Sequence, residues 1–174
     1  MIERLLTDAL FAAFAGMGFG IAFNPHFKKL LIAGLLAAVG HSFRLWLMTG
    51  CSVNICAATF AGALLIGTGG FVAGRILGCP SEVFTFPAVL PMIPGLFAYK
   101  TILSAIKFIG ANSSGTPTGT HLEDFLSNGI VSASIMFAIV LGASVSVFVD
   151  TLSSRIENRK MLSNIKPFKR NKNA

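Results

Sequence analysis

Val89-Leu90-Pro91-Met92-Ile93-Pro94-Gly95-Leu96-Phe97-Ala98-Tyr99-Lys100 lies inside a long apolar segment. Two prolines and a glycine within five residues predict a broken helix. Pro91 and Pro94 each lack an amide donor, and each ring clashes with the carbonyl four residues back. In water such a break is an ordinary turn. In lipid, the freed backbone groups must be met by protein or trapped water, so a broken helix needs neighbouring helices or a cavity. Discontinuous helices near the bilayer midplane are where many transporters bind substrate. A kink serving packing alone is the alternative.

Composition places that stretch in a membrane. The chain has 174 residues, 53% hydrophobic and 12% charged, with a mean hydropathy of +0.74. Soluble domains carry about 25% charged residues. The fold class expected is all-α, a polytopic integral membrane protein with five transmembrane helices, the fourth broken by Pro and Gly. Cys51, Cys56 and Cys79 show neither metal-ligand nor disulfide spacing and read as small apolar fillers. No GxSxG, HExxH or paired-carboxylate motif occurs, so neither catalytic residue, metal nor cofactor is expected. Net charge is +7, and seven of the fourteen basic residues follow Asp150. With no aromatic platform beside them, they exclude a nucleic-acid partner and read as a cytoplasmic topology signal.

Working outward, the expected spans are residues 5–23, 30–48, 55–74, 83–109 and 125–149, forming a transmembrane domain over 1–152. Residues 153–174 are expected to be a flexible basic tail. No small-x-small cleavage pattern follows the first apolar run, which favours a span over a signal peptide. Small residues recur at helical spacing: Ala12, Gly16 and Gly20; Gly34, Ala38 and Ser42; Ser134, Ala138, Gly142 and Ser146. Such faces let helices approach closely in lipid. With the tail in the cytoplasm, the turns at Lys28-Lys29 and Arg75 also fall inside, and the outer segments keep only Arg4 among basic residues.

Ionisable residues inside spans are functional candidates by default. Asp8 and Arg44 fall at similar depth and could form an ion pair, with snorkelling of each side chain, or a pair of purely structural use, as the alternatives. His41 lies one turn deeper and is a candidate proton carrier. A neutral His41 bonded to a backbone carbonyl is the competing expectation. Pro94-Gly95 should open a second half-helix whose free amides and dipole suit a carboxylate. Lys100 adds a full charge about a turn and a half later. Pro91, Pro94, Gly95, Tyr99, Lys100 and Ser104 are therefore the candidate substrate-binding residues, and Asp8, His41 and Arg44 the candidate proton-coupling or ion-pair residues.

Three groups of residues together carry a family resemblance. They are Gly40-His41-Ser42-x-Arg44 with Leu47-Met48-Thr49, the glycine-rich third span, and Phe84-x-x-Pro87-Ala88-Val89-Leu90-Pro91-Met92-Ile93-Pro94-Gly95-x-x-Ala98-Tyr99. Over about residues 5–149 the chain resembles the small subunit of the split threonine/serine exporter family. The resemblance implies a bacterial inner-membrane, two-component exporter of small carboxylate-bearing metabolites, either threonine and serine or a dicarboxylate such as succinate. It also implies a larger membrane subunit as partner. A non-transporting assembly subunit is the second hypothesis. An intramembrane enzyme using His41 and Arg44 is the third, and it lacks an evident nucleophile.

Overall fold

The computed structural model describes residues 2–23, 26–113 and 119–164. Among them the structure is helical throughout: α1 (Ile2–Ile21), α2 (Phe27–Gly50), α3 (Ile55–Leu77), α4 (Glu82–Val89), a single 3-10 turn (Leu90–Met92), α5 (Gly95–Ser113) and α6 (Gly119–Asn164). Four of these helices are long and apolar enough to cross a membrane. The pair α4–α5, bent by 50° at its break, makes a fifth crossing if counted as one span. The all-α polytopic expectation is borne out.

The helices pack through their smallest residues. α1 buries Ala12, Gly16 and Gly20, the face expected from their spacing. They meet α2 antiparallel: a Cβ built on Gly16 would stand 2.7 Å from the Ala37 Cβ, and one on Gly20 would stand 2.6 Å from Leu30 Cδ1. α2 buries Ala33, Gly34, Ala37 and Gly40, so its contact face is rotated from the one expected through Ala38 and Ser42. Gly40 in turn admits Ile66 of α3. On α6 the expected Ala138 and Gly142 are buried beside Ile135 and Ile139. Ser146 lies outside the described side chains. Large apolar residues point the other way: Phe11, Phe14, Ile76 and Phe137 are all exposed. In water this would be a core turned inside out. In lipid, tails solvate Phe and Leu as well as protein does, so small residues take the interior and close approach supplies the attraction.

Local signals set the ends. Asn54 caps α3 by accepting the Cys56 amide at 2.9 Å. Gly78, at φ +61°, closes α3 in the left-handed conformation that a side chain disfavours. The next turn is tight: a Cβ on Gly74 would lie 2.8 Å from the Cys79 carbonyl. It sends α4 back against α3, with Thr85 seated on Gly70. Phe84, Ala88, Val89 and Met92 then complete the core with Ala37, Ile66 and Ile135.

α2, α3 and α6 are longer than their expected spans. α2 takes in Lys28 and Lys29, α3 takes in Arg75, and α5 and α6 shorten the loop expected over 111–120. Hydropathy marks where lipid ends, whereas a helix continues into water until a breaker stops it. For the same reason α6 runs beyond 152 to Asn164, into the basic segment expected to be a flexible tail. Residues 165–174 of that segment lie outside the described residues.

A Cβ on Gly142 would meet the Phe60 carbonyl at 2.8 Å and the Leu64 amide at 3.0 Å, both backbone. Gly142→Val is therefore expected to push α6 off α3 and destabilise the bundle by about 1–3 kcal/mol. Gly18→Ala, with nothing within 4 Å of its Cβ, is expected to be neutral. Detergent-unfolding midpoints of the purified variants test the pair.

Candidate functional site

The break is built by missing donors. Pro94 has no amide hydrogen to offer the Pro91 carbonyl, as the next 3-10 bond would require. The Gly95 amide, its donor in an α-helix, turns instead to the Ile93 carbonyl at 2.8 Å. The Ile93 amide closes the turn on Leu90 at 3.1 Å, and Ala98 starts α5 by donating to Pro94 at 3.0 Å. The half-helix expected after Pro94 thus begins at Gly95. Among the described residues the half-buried Pro91 carbonyl has no backbone donor, a costly state in an apolar bundle unless a side chain supplies one.

His41 supplies it. Its Nε2 lies 3.3 Å from the Pro91 oxygen, and its Nδ1 lies 2.9 Å from Asp8 Oδ2. One imidazole therefore joins α1, α2 and the broken span. A carbonyl can only accept, so the Pro91 bond needs a hydrogen on Nε2. Both contacts form at once only when the pair holds an extra proton, as an imidazolium facing the carboxylate or a protonated Asp8 facing Nδ1, whereas a neutral Nδ1–H imidazole keeps the shorter Asp8 contact alone. Beside it, Ser42 donates to the Leu5 carbonyl at 3.3 Å and fixes the same α1–α2 register.

The expected Asp8–Arg44 ion pair is corrected here: the hydrogen-bond partner of Asp8 is His41. The two basic residues are three apart on α2, which rotates them about 60° from each other, and α1 faces His41. Arg44 remains close enough to feel the Asp8 charge. Its Cβ abuts Gly62 of α3, and its Nε is sealed from solvent without a hydrogen-bond partner among the described residues. Phe43 and Trp46 flank it on α2, their rings stacked at 6.1 Å between centroids.

The remaining candidates separate. Ser104 and Pro94 are buried, and Pro91 is half-buried. Gly95, Tyr99 and Lys100 lie on the exposed side of α5. Lys100 is thus not gathered with Asp8, His41 and Arg44. α6 covers the opposite side of α5, where a Cβ on Gly129 would touch Thr101 at 3.4 Å. Among the described residues no group of three metal-ligating side chains occurs. An apolar groove of about 640 Å³ opens between α4 and α6, with Glu82 its sole ionisable lining residue. It suits hydrocarbon better than a charged solute. A smaller cavity of about 340 Å³ lies at the other face, lined by Arg4, Leu5, Leu45 and Thr49.

Sequence reasoning found each member of the cluster but missed the contact between them. The antiparallel register implied by the small-residue faces of α1 and α2 was the available signal. A protein-family model described as "Threonine/Serine exporter, ThrE" matches residues 8–149, from Asp8 through the last apolar turn of α6. No solved structure matches the chain.

His41→Ala removes the donor to Pro91 and the partner of Asp8 together, leaving two under-solvated polar groups. Expected is a loss of about 2–4 kcal/mol, from roughly 1–3 kcal/mol for each group left unsatisfied. Lys100→Met, on an exposed surface, is expected to unfold with the parent. Thermal unfolding in detergent compares the two variants.

Proposed function

The chain belongs to the threonine/serine exporter family, and from that premise we propose that it is the small subunit of a two-component exporter. In this reading it moves small carboxylate-bearing metabolites, threonine and serine or a dicarboxylate such as succinate, across the bacterial inner membrane. Its basic C-terminal tail is cytoplasmic, and a larger membrane subunit completes the path. No bond in the substrate is made or broken. The observation that carries the reading is the Asp8–His41–Pro91 cluster: a proton-holding pair inside the spans, hydrogen-bonded to the break in the fourth.

That arrangement has the parts of a coupled carrier. A neutral pair loses or gains one proton without a second charge moving, and the group that changes is tied to a backbone segment already freed from regular helix. Export draws on the proton gradient through Asp8 and His41. The exposed side of α5, with Gly95, Tyr99 and Lys100, is the surface given to the larger subunit in this reading. The break at Pro91 and Pro94 borders the substrate path, and the amides opening α5 favour a carboxylate.

The test is export of radiolabelled threonine, serine and succinate from a strain lacking both chains, given this one, the larger subunit, or both. Export only with both is expected, falling about tenfold or more with an uncoupler or with Asp8→Asn. Export by the larger subunit alone would make this chain an assembly factor. Export indifferent to uncoupler and to neutral residues at both Asp8 and His41 would remove the proton coupling.

A further inference from the structure

α5 is the outlying helix of the bundle. It packs chiefly on α6, whereas α2 packs on α1, α3 and α4. Its other side is open: Leu96 is 76% exposed and Tyr99 63%. An apolar helix face is ordinary in lipid. Lys100, exposed on the same side, is not. It stands about 8 Å past the break and about 20 Å short of Ser113, while α4 and the 3-10 turn cover about 18 Å on the other side. In a hydrocarbon layer about 30 Å thick, its ammonium is too deep to snorkel to either headgroup region. Among the described residues Lys100 has no ion pair and the Tyr99 hydroxyl no hydrogen bond. The Leu96 and Phe97 amides, which open α5 there, have no acceptor among these residues either. An ammonium, a phenol and two bare amides all have hydrogens to donate. Hydrocarbon accepts none of them, so a protein surface that supplies acceptors must cover this side.

We propose that this face of α5 docks a transmembrane helix of a different chain, and that a carboxylate on that helix pairs with Lys100. This rests on the exporter reading above and names the contact that holds the larger subunit. Charge decides the occupant. A lipid tail offers no anion, and a phosphate headgroup does not reach that depth. A second copy of this chain fails for another reason. Asp8 is its only carboxylate well inside a span, and His41 holds it. Glu3, Glu82, Glu123 and Asp124 fall within two turns of a helix start, and Asp150 and Glu157 follow the last apolar run. Lys107 lies two turns further out on the ridge of Lys100, also exposed, and reaches the outer headgroups without a partner. The pair also selects. A helix without the carboxylate leaves the ammonium bare in hydrocarbon, so the contact that holds the right chain rejects others.

The test co-expresses this chain, tagged, with the larger subunit in a strain lacking both, and measures how much larger subunit stays with the tag after mild detergent extraction. Lys100→Met is expected to retain about fivefold less than the parent, and Lys100→Glu about tenfold less or more. Phe14→Ala, on the exposed side of α1, should retain as much as the parent. Unfolding of the isolated variants in detergent at the parental midpoint separates a lost contact from a lost fold. Each carboxylate within the spans of the larger subunit is then changed to Lys in turn, and one of these changes is expected to restore retention by Lys100→Glu. A photoreactive benzoylphenylalanine in place of Ile102 should cross-link to that subunit. Parental retention in Lys100→Glu, or restoration by none of the reversed carboxylates, would overturn the proposal. So would cross-links that reach only lipid or a second copy of this chain. Export by the larger subunit alone, with the two chains still held through Lys100, would sink the exporter reading and leave the contact standing.

Discussion

Among the described residues the carbonyl of Pro91 has no backbone donor. In a soluble protein that need would be met by solvent and would constrain nothing. Inside a lipid-embedded bundle it demands a side chain at one height and one angle, and His41 meets that demand from α2. The rest follows in sequence. Holding His41 there directs its other nitrogen at α1, which brings Asp8 into the spans as its partner. Holding α1 and α2 at that register requires the Gly16–Ala37 and Gly34–Met17 approaches lower in the pair. A single unmet hydrogen bond thus connects the break, the histidine and the small-residue seam.

That seam explains how so polar a cluster is tolerated. Helices in lipid gain little from hiding large apolar side chains, which are as well solvated outside. They gain from backbones close enough for dense contact, and glycine on α1, α2, α3 and α6 provides it. The α3–α6 pair meets at Gly142 against the backbone of Phe60 and Leu64, the α2–α3 pair at Gly40 and Gly62. These contacts hold the helices together alongside the polar ones, so the bundle does not depend on the Asp8–His41 pair alone.

Much of this was legible in the residues themselves. The proline pair announced the break, and the half-helix starting at Gly95 came with it. The small faces of α1 and α6 were visible as four-residue repeats. What failed was azimuth. Counting residues from a helix end gives depth, and Asp8 and Arg44 do share a depth. It does not give the rotation that turns His41 toward α1 and Arg44 toward α3. Lys100 shows the same limit: spacing put it on one side of α5, but only packing reveals that α6 covers the Thr101 side. The length of α6 escaped for another reason. Lys and Arg are good helix formers, so charge after Asp150 marks the end of lipid without marking the end of the helix.

The stacked Phe43–Trp46 pair has a practical corollary. Trp46 is the one tryptophan in the chain, and it sits on α2 two residues from Arg44. Indole emission shifts with the polarity and electric field around the ring, so the protein carries an unlabelled optical probe beside Arg44. Changes in charge at that turn of α2 can be followed by fluorescence in the isolated chain, with no dye or engineered cysteine added.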